Sequence, residues 1–582
     1  MSSKHLSNDI TALVQASLRS ATLLNPQVGF DSENKTVYLR SASSSDNVAI
    51  VSGGGSGHEP AYAAFVGHGL LSGAVAGSIF ASPSADQVFQ CLMRLGAEKP
   101  GRGILVIIMN YTGDALHFGM AIEKARARGL KAQLLIVGDD VGVGRAKSGR
   151  VGRRGLAGTV LVQKIAGALA ARGAAIEKVF EMASLVASNV ATVGASLSHV
   201  HVPGRVASKD ELDGNDEIEI GMGIHNEEGF GRVKTDLQGL ISMLLKQLLD
   251  TSDKDRGFIE IKSGEPAVLM INNLGGLSQL ELGAVTTEVY KQLGDNYGII
   301  PKRVLAGTYM SSLNGLGFSV TLLKLVNKDF VELLDDKAEA TGWIPPAPPA
   351  SWKLQGSSGN DQTEKLDFSE KDTPSNLTVK QADVQKYLTI GLKNLIEAEP
   401  EVTKYDTLVG DGDCGLCLKV GAEAVLSYVQ SQPTTDAVQL VSQLAHVIEK
   451  SMDGTSGALY AIFINALATK LREADREAQP TQATPVIWAK ALQGAMEALG
   501  RYTPARPGDR TVVDALAPFI EAFTSSGDIS TAVQAARKGC ENTKGMEASL
   551  GRSVYVGGDE WKNCPDPGAF GLVKFLEGFV GV

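Results

Sequence analysis

Cysteine is scarce, with five in 582 residues. So few cannot frame a disulfide-stapled fold, and the usage fits a reducing cytosol. Cationic excess is missing too: Lys and Arg total 55 against 65 Asp and Glu, a formal net charge of −10. Without a chain-wide positive field, general nucleic-acid binding is not expected. No apolar stretch approaches the ~20 residues of a bilayer crossing, so no membrane partner is expected. The opening MSSKHLSNDITALVQASL lacks the apolar centre of a secretory leader, and Phe579-Val-Gly-Val582 is not a peroxisomal address. The expectation is a cytoplasmic protein.

Hydrophobic residues make up 43% and charged residues 21%, which excludes a wholly disordered chain. Glycine is plentiful, at 65 residues, but has no Gly-X-Y period, so collagen is excluded. That glycine points to tight turns and close backbone–ligand approach. At ~100–200 residues per domain, the length predicts three or four domains.

One boundary is clear. Residues 344–377 read IPPAPPASWKLQGSSGNDQTEKLDFSEKDTPSNL, prolines first and then Gly, Ser, Asn and charge. This is linker composition, with little to bury. Before it, apolar runs such as 47–52, 103–109, 133–137, 267–271 and 318–323 alternate with helical patterns. That alternation predicts an α/β part with largely parallel sheets. It divides near 195–205, and the strands after about Val190 form a second sheet. After the linker the period becomes helical: Val384, Leu388, Leu392, Leu395 and Ile396 share one face. Residues 378–582 are therefore expected to be all-α.

The sharpest motif is Asp406-Thr-Leu-Val-Gly-Asp411-Gly-Asp413-Cys-Gly415. Three carboxylates so close repel unless a hard cation such as Mg²⁺ or Ca²⁺ sits among them. The alternative is a solvated acidic turn. An embedded Gly-x-Gly-x-x-Gly lacks the preceding strand of a dinucleotide site, and Cys414-Gly-Leu-Cys417 has no second pair to make a zinc site. Ser52-Gly-Gly-Gly-Ser-Gly-His58-Glu-Pro60 follows a strand and lets backbone approach a small ligand. It is not a Walker loop, since no Gly-Lys-Ser/Thr follows. Asp114, in Asn110-Tyr-Thr-Gly-Asp114, reads equally as a general base or as a helix N-cap. His225, in Gly221-Met-Gly-Ile-His225, is a nucleophile or a structural histidine. Arg145–Arg154 carries five cations in ten residues, for phosphates, the other domain or solvent.

Taken in order, SGGGSGHEP, NYTGD, GMGIH, GDGD, GTSGALY, PARPGD, GR-x-x-Y and DPGA resemble the single-chain, ATP-dependent dihydroxyacetone kinase (triokinase) family over nearly the whole chain. The resemblance implies an α/β substrate-binding part at 1–345, with subdomains of about 1–200 and 201–345. It also implies a linker at 346–376 and an all-α, eight-helix ATP-binding barrel at 377–582. It implies phosphorylation of dihydroxyacetone and glyceraldehyde, with the substrate held as a hemiaminal on His225. Substrate contacts would be Gly55, Ser56, Gly57, His58 and Asp114, with Asp114 and His58 accepting the hydroxyl proton. Mg²⁺ would sit on Asp406, Asp411 and Asp413. Nucleotide contacts would be Cys414, Gly415, Leu416, Cys417, Thr455, Ser456, Thr503, Val512, Arg552, Asp566, Pro567 and Gly568. A homodimer is implied as well.

Three positions depart from the family pattern: Met109 where Lys is frequent, Cys414 where His is frequent, and Asp453 where Gly is frequent. Two other readings stand beside the kinase: an FAD-cyclising lyase at the nucleotide site, and a carbonyl-sensing regulator.

Overall fold

The computed structural model describes residues 4–206, 216–354, 374–478, 482–550 and 560–581. The chain divides into two compact units, Met1–Thr363 and Glu364–Val582.

The first unit holds two six-stranded sheets. One comprises β1 (Val28–Asp31), β2 (Thr36–Leu39), β3 (Ala49–Ser56), β4 (Gly73–Ile79), β5 (Ile104–Met109) and β6 (Ala132–Val137). Its order is β1-β2-β4-β3-β5-β6. The pairs β4–β3, β3–β5 and β5–β6 are parallel. Parallel neighbours need crossovers: the helices Ala85–Gly96 and Thr112–Arg126 lead into β5 and β6, while β3 reaches β4 through a connection holding only the 3-10 turn Ala63–Phe65. β5 is buried at every residue, which is why its sequence is a continuous apolar run rather than an alternation.

The second sheet comprises β7 (Val190–Ser196), β8 (Ile218–Ile220), β9 (Gly231–Val233), β10 (Ala267–Asn273), β11 (Arg303–Gly307) and β12 (Gly317–Lys324). Its order is β11-β10-β12-β7-β8-β9, and only β10–β11 is parallel. This corrects the expectation of largely parallel sheets. The helix Gln279–Tyr297 carries the β10–β11 crossover. β12 follows β11 with no helix between them and pairs antiparallel with β10 and β7. The second sheet starts at Val190, where the strand pattern places it, and a division at about 200/201 falls just after its first strand. Phe330, Leu333 and Trp343 then return to the core of the first sheet.

The linker expectation falls partly on 355–373, outside the described residues. Its first part is not free chain: Trp352 donates to the Ala347 carbonyl at 2.8 Å and lies under the Arg303 guanidinium. At the far end, Ser375 and Asn376 are tied by their backbone N–H groups to Asp436 and Asp475.

The second unit contains nine α-helices among its described residues and no strand. The expected count was eight. The extra one arises because Gln381–Glu397 and Glu399–Val409 meet at Ala398, and Pro400 stands in the second helix's first turn. Proline lacks the N–H that would continue the first helix, so a new one starts there. The helices enclose an apolar cavity of about 600 Å³ lined by residues such as Leu392, Val425, Leu467, Phe519 and Phe575. Among the described residues no helix is long and apolar enough to cross a membrane.

Candidate functional site

In the first unit, one cluster gathers at the carboxyl ends of β3 and β5. β3 runs on through Ser56 with a bulge between Gly54 and Ser56, and a single 3-10 turn, Ala63–Phe65, follows. The glycine motif is thus the end of a strand and the turn that follows it. Glycine is required because other backbone lies against it. A Cβ on Gly53 would collide with the Val75 carbonyl, and one on Gly55 would lie 2.7 Å from the Ala81 nitrogen. Gly57 has φ +103° and abuts the Phe80 ring. Ser56 is buried, its hydroxyl on the Gly77 carbonyl at 3.0 Å.

His58 is fully buried and stacks on Phe80. Its Nδ1 lies 2.9 Å from the Ser311 carbonyl oxygen, and its Nε2 lies 3.0 Å from His225 Nε2. His225 comes from the loop after β8, on the other sheet. Its Nδ1 and its backbone N–H each meet a Glu227 carboxylate oxygen at 2.9 Å. The Tyr111 ring stands edge-on to it, with centroids 4.7 Å apart. The structure thus joins His58 and His225, 167 residues apart in sequence.

The segment 309–313 fixes this junction. Asn272, at the end of β10, accepts from the Tyr309 and Met310 N–H groups and donates to the Met310 carbonyl. That buried amide sets the turn that points the Ser311 carbonyl at His58. Leu313 N–H then donates to Gly57 O at 2.7 Å, and the Ser312 hydroxyl donates to Ile224 O. Sequence reading missed Ser311, Glu227, Phe80 and Tyr111. Only Glu227, a carboxylate two residues beyond a candidate histidine, left a local signal.

Asp114 sits in the first turn of Thr112–Arg126, whose N-cap is Tyr111. The N-cap reading of Asp114 is therefore set aside. Its side chain is 4% exposed, and Oδ1 has no hydrogen-bond partner. The buried Tyr62 hydroxyl is unpartnered too. Both side chains lie over Gly54, where a Cβ would be 3.5 Å from Asp114 Oδ2 and 3.5 Å from Tyr62 Cε2. Buried polar atoms left bare in a fold are costly, so this pair is a candidate place for a small polar guest. Burial pushes the Asp114 pKa up, against the pull of the Ser82 hydrogen bond. Met109, at the end of β5, is buried and packs beneath Gly155.

Burial also lowers the His58 pKa to about 3, helped by the neighbouring His225 charge. The unfolded chain then binds more protons than the folded one between about 3 and 6.5. This stability is full above the unfolded value and lost as pH falls through that window. Going from about pH 7 to about pH 5 costs the first unit about 2 kcal/mol through this residue. Urea melts at the two pH values measure it, and a His58→Asn variant shows a smaller drop. Equal drops would mean that His58 is not held neutral.

The basic run is mostly structural. Arg145 and Arg153 stack on Phe258, and Arg145 donates to the Lys254 and Gly257 carbonyls. Arg154 pairs with buried Asp140 and donates to Gly221 O, behind His225.

In the second unit, Asp406, Asp411 and Asp413 each offer an oxygen, all within 4.8 Å of one another. Gly412, with φ +79°, turns the chain so that they converge. The set is all-oxygen and anionic, which suits Mg²⁺ or Ca²⁺ and not a thiophilic metal. Cys414 N–H donates to Asp406 Oδ2 at 3.0 Å and opens the Cys414–Ser431 helix. Cys414 Sγ lies 3.7 Å from the Ser456 hydroxyl, in the first turn of Gly454–Ala478 beside Thr455. Two long-helix N-termini therefore flank the carboxylates, a setting for phosphate oxygens. Burial raises the Cys414 thiol to about 12, and the Cys417 thiol upward as well, so neither suits thiolate chemistry. All five cysteines are free. Cys417 Sγ points to the Asp453 carbonyl at 3.2 Å.

Asp566 caps Pro567–Glu577, accepting from Ala569 N–H at 2.8 Å. Its pKa is raised to about 7, chiefly by burial, with the Asp514 and Asp406 charges adding to it. A Cβ on Gly568 would touch both Asp566 and Val512, so these three sit together. Asp514 closes the preceding loop by accepting from Gly508 and Thr511 N–H groups. The remaining expectations are less gathered. Gly415 packs against Thr403 and Glu399 of the neighbouring helix, and the Leu416 side chain is exposed. Among the described residues, Thr503 finds its hydrogen-bond partners close by in sequence: Leu499, Ala505 and Arg506. Arg552 lies outside the described residues.

The chain matches the Dak1 domain family over residues 19–342 and the DAK2 domain over 408–581. It belongs to the dihydroxyacetone kinase family, a family of phosphotransferases. It is 44% identical to the dihydroxyacetone kinase of Pichia angusta, across 100% of this chain and 98% of the relative. It is 35% identical to the triokinase/FMN cyclase of Rattus norvegicus, across 100% and 99%. The crystal structure of the C. freundii dihydroxyacetone kinase with AMP-PNP and Mg²⁺ is 28% identical, has a TM-score of 0.65, and is covered end to end by this chain.

Proposed function

We propose that this protein transfers the terminal phosphoryl group of ATP to a hydroxyl of dihydroxyacetone, and also of glyceraldehyde. The carbonyl carbon is held as a hemiaminal on His225 Nε2. The observation that carries this reading is the buried, glycine-floored cluster of His58, His225 and Asp114, in which one Asp114 carboxylate oxygen and the neighbouring Tyr62 hydroxyl lack partners. A carbonyl adduct suits imidazole, which is nucleophilic when neutral. Asp114, with its raised pKa, accepts the proton of the attacking hydroxyl, and His58 stands beside it. Gly55, Ser56 and Gly57 contribute backbone and a small wall.

Asp406, Asp411 and Asp413 would hold Mg²⁺, which supplies charge neutralisation along the ATP phosphates. The helix starts at Cys414 and at Thr455-Ser456, together with Val512 and Asp566-Pro567-Gly568, orient the nucleotide. The relative with bound AMP-PNP and Mg²⁺ supports this assignment. The rat relative is named a triokinase/FMN cyclase, which supports a second, flavin-cyclising activity; we place it at the same nucleotide site.

Steady-state ADP release with MgATP tests the reading. Dihydroxyacetone and D-glyceraldehyde should turn over, glycerol should not, and EDTA should abolish the signal. Equal turnover of glycerol would remove the need for a carbonyl adduct. No turnover with any triose would point to the sensor or the lyase, with Met109→Lys the next variant to assay.

A further inference from the structure

The contact between the two histidines requires a proton count that the cluster itself supplies. A backbone carbonyl accepts only, so Ser311 O fixes a proton on His58 Nδ1. A carboxylate likewise accepts only, and hydrogen bonds and charge from His225 outweigh burial to hold Glu227 down at about 2. It therefore fixes a proton on His225 Nδ1. Both Nε2 atoms would then be bare, facing each other at 3.0 Å. Two lone pairs do not approach so closely. One further proton must therefore be shared between the two rings.

Glu227 is itself held in place. It bonds the His225 backbone N–H as well as the ring, so main chain and imidazole are set by one carboxylate. A Cβ on Gly223 would collide with both Glu227 Oε2 and the Arg154 guanidinium, so the two side chains converge on that glycine. Arg154 is anchored on Asp140 Oδ2 at 2.8 Å and on Gly221 O at 2.7 Å. The cation from the basic run thus stands behind the candidate nucleophile.

We propose that Glu227 is the positioning residue for His225: it locks the ring's proton on Nδ1 and turns Nε2 toward the substrate carbonyl. This rests on the hemiaminal reading above. The step balances. The shared proton moves to His58 Nε2, freeing the His225 Nε2 lone pair. That pair bonds to the carbonyl carbon, and the C=O π pair moves to oxygen. The oxygen then takes the proton from His58 Nε2. The product is a hydroxyl and an Nε2-alkylated imidazolium whose charge faces Glu227. One positive charge is present before and after, so capture draws no proton from solvent.

The test is adduct formation on the full-length protein, read by intact mass after titration with dihydroxyacetone and without ATP, beside KM and kcat. Glu227→Ala should raise the half-saturating ketose concentration and KM on the order of ten- to hundred-fold, the range for removing an orienting partner. kcat should fall less, and AMP-PNP binding should be unchanged. Glu227→Gln should fall between, because its amide oxygen still accepts from Nδ1 while its NH₂ faces the backbone N–H. Glu227→Asp should recover part of the loss. Should Glu227→Ala not fold, the Gln and Asp variants decide. Wild-type adduct titrations in the variants would overturn the role of Glu227. No adduct on the wild-type protein would instead overturn the hemiaminal reading beneath it.

Discussion

An Asp411→Ala variant loses turnover by on the order of 10³-fold or more, yet still captures dihydroxyacetone. The three carboxylates converge within 4.8 Å in the second unit, and His225 belongs to the first. Metal clamps on transferring phosphates are worth several kcal/mol, and each ~1.4 kcal/mol is a factor of ten. Asp411→Asn should behave in the same direction, since the amide keeps the shape but loses the charge. The variant's titration with Mg²⁺ and AMP-PNP, followed by calorimetry, should show weakened nucleotide binding. Wild-type turnover by Asp411→Ala would remove the metal assignment, whatever the nucleotide site does.

The second large effect is on His225→Ala. Dihydroxyacetone kcat/KM should fall roughly 10³-fold, and the mass adduct should vanish. Discrimination against glycerol should also collapse. A site that reads a functional group rejects its absence strongly, whereas a merely shaped pocket does not. FAD cyclisation, if this chain performs it at the nucleotide site, should survive the substitution. Retained selectivity against glycerol would show that shape, not the adduct, selects the substrate.

The two candidate sites were unequally legible in the sequence. Asp406, Asp411 and Asp413 lie within eight residues, so their repulsion can be read directly, and the structure gathers their oxygens. The substrate cluster is non-local. His225 looked like one histidine in a glycine loop, and nothing near it in sequence announces His58 or Ser311. Asp114 was ambiguous because a first-turn carboxylate and an N-cap differ by a few residues of helix boundary; only burial and a bare oxygen separate them. Arg154 hid among cations whose neighbours Arg145 and Arg153 stack on Phe258. The α/β and all-α division followed from periodicity. Strand direction did not, because alternation of strand and helix says nothing about β12, which arrives without a crossover helix. The ninth helix turned on one proline at a junction a single residue long.

The floor beneath the two histidines is main chain rather than side chain. Gly53, Gly55 and Gly57 each abut other atoms so closely that even a methyl group displaces something. Adaptive change therefore has few footholds in this half of the proposed ketose pocket. Selection for a different carbonyl compound, in nature or in a directed-evolution library, must act on the side chains around the cluster instead: Tyr62, Phe80 and Tyr111. A library saturating those three positions should yield altered substrate ranges. One saturating the glycines should yield mostly misfolded clones.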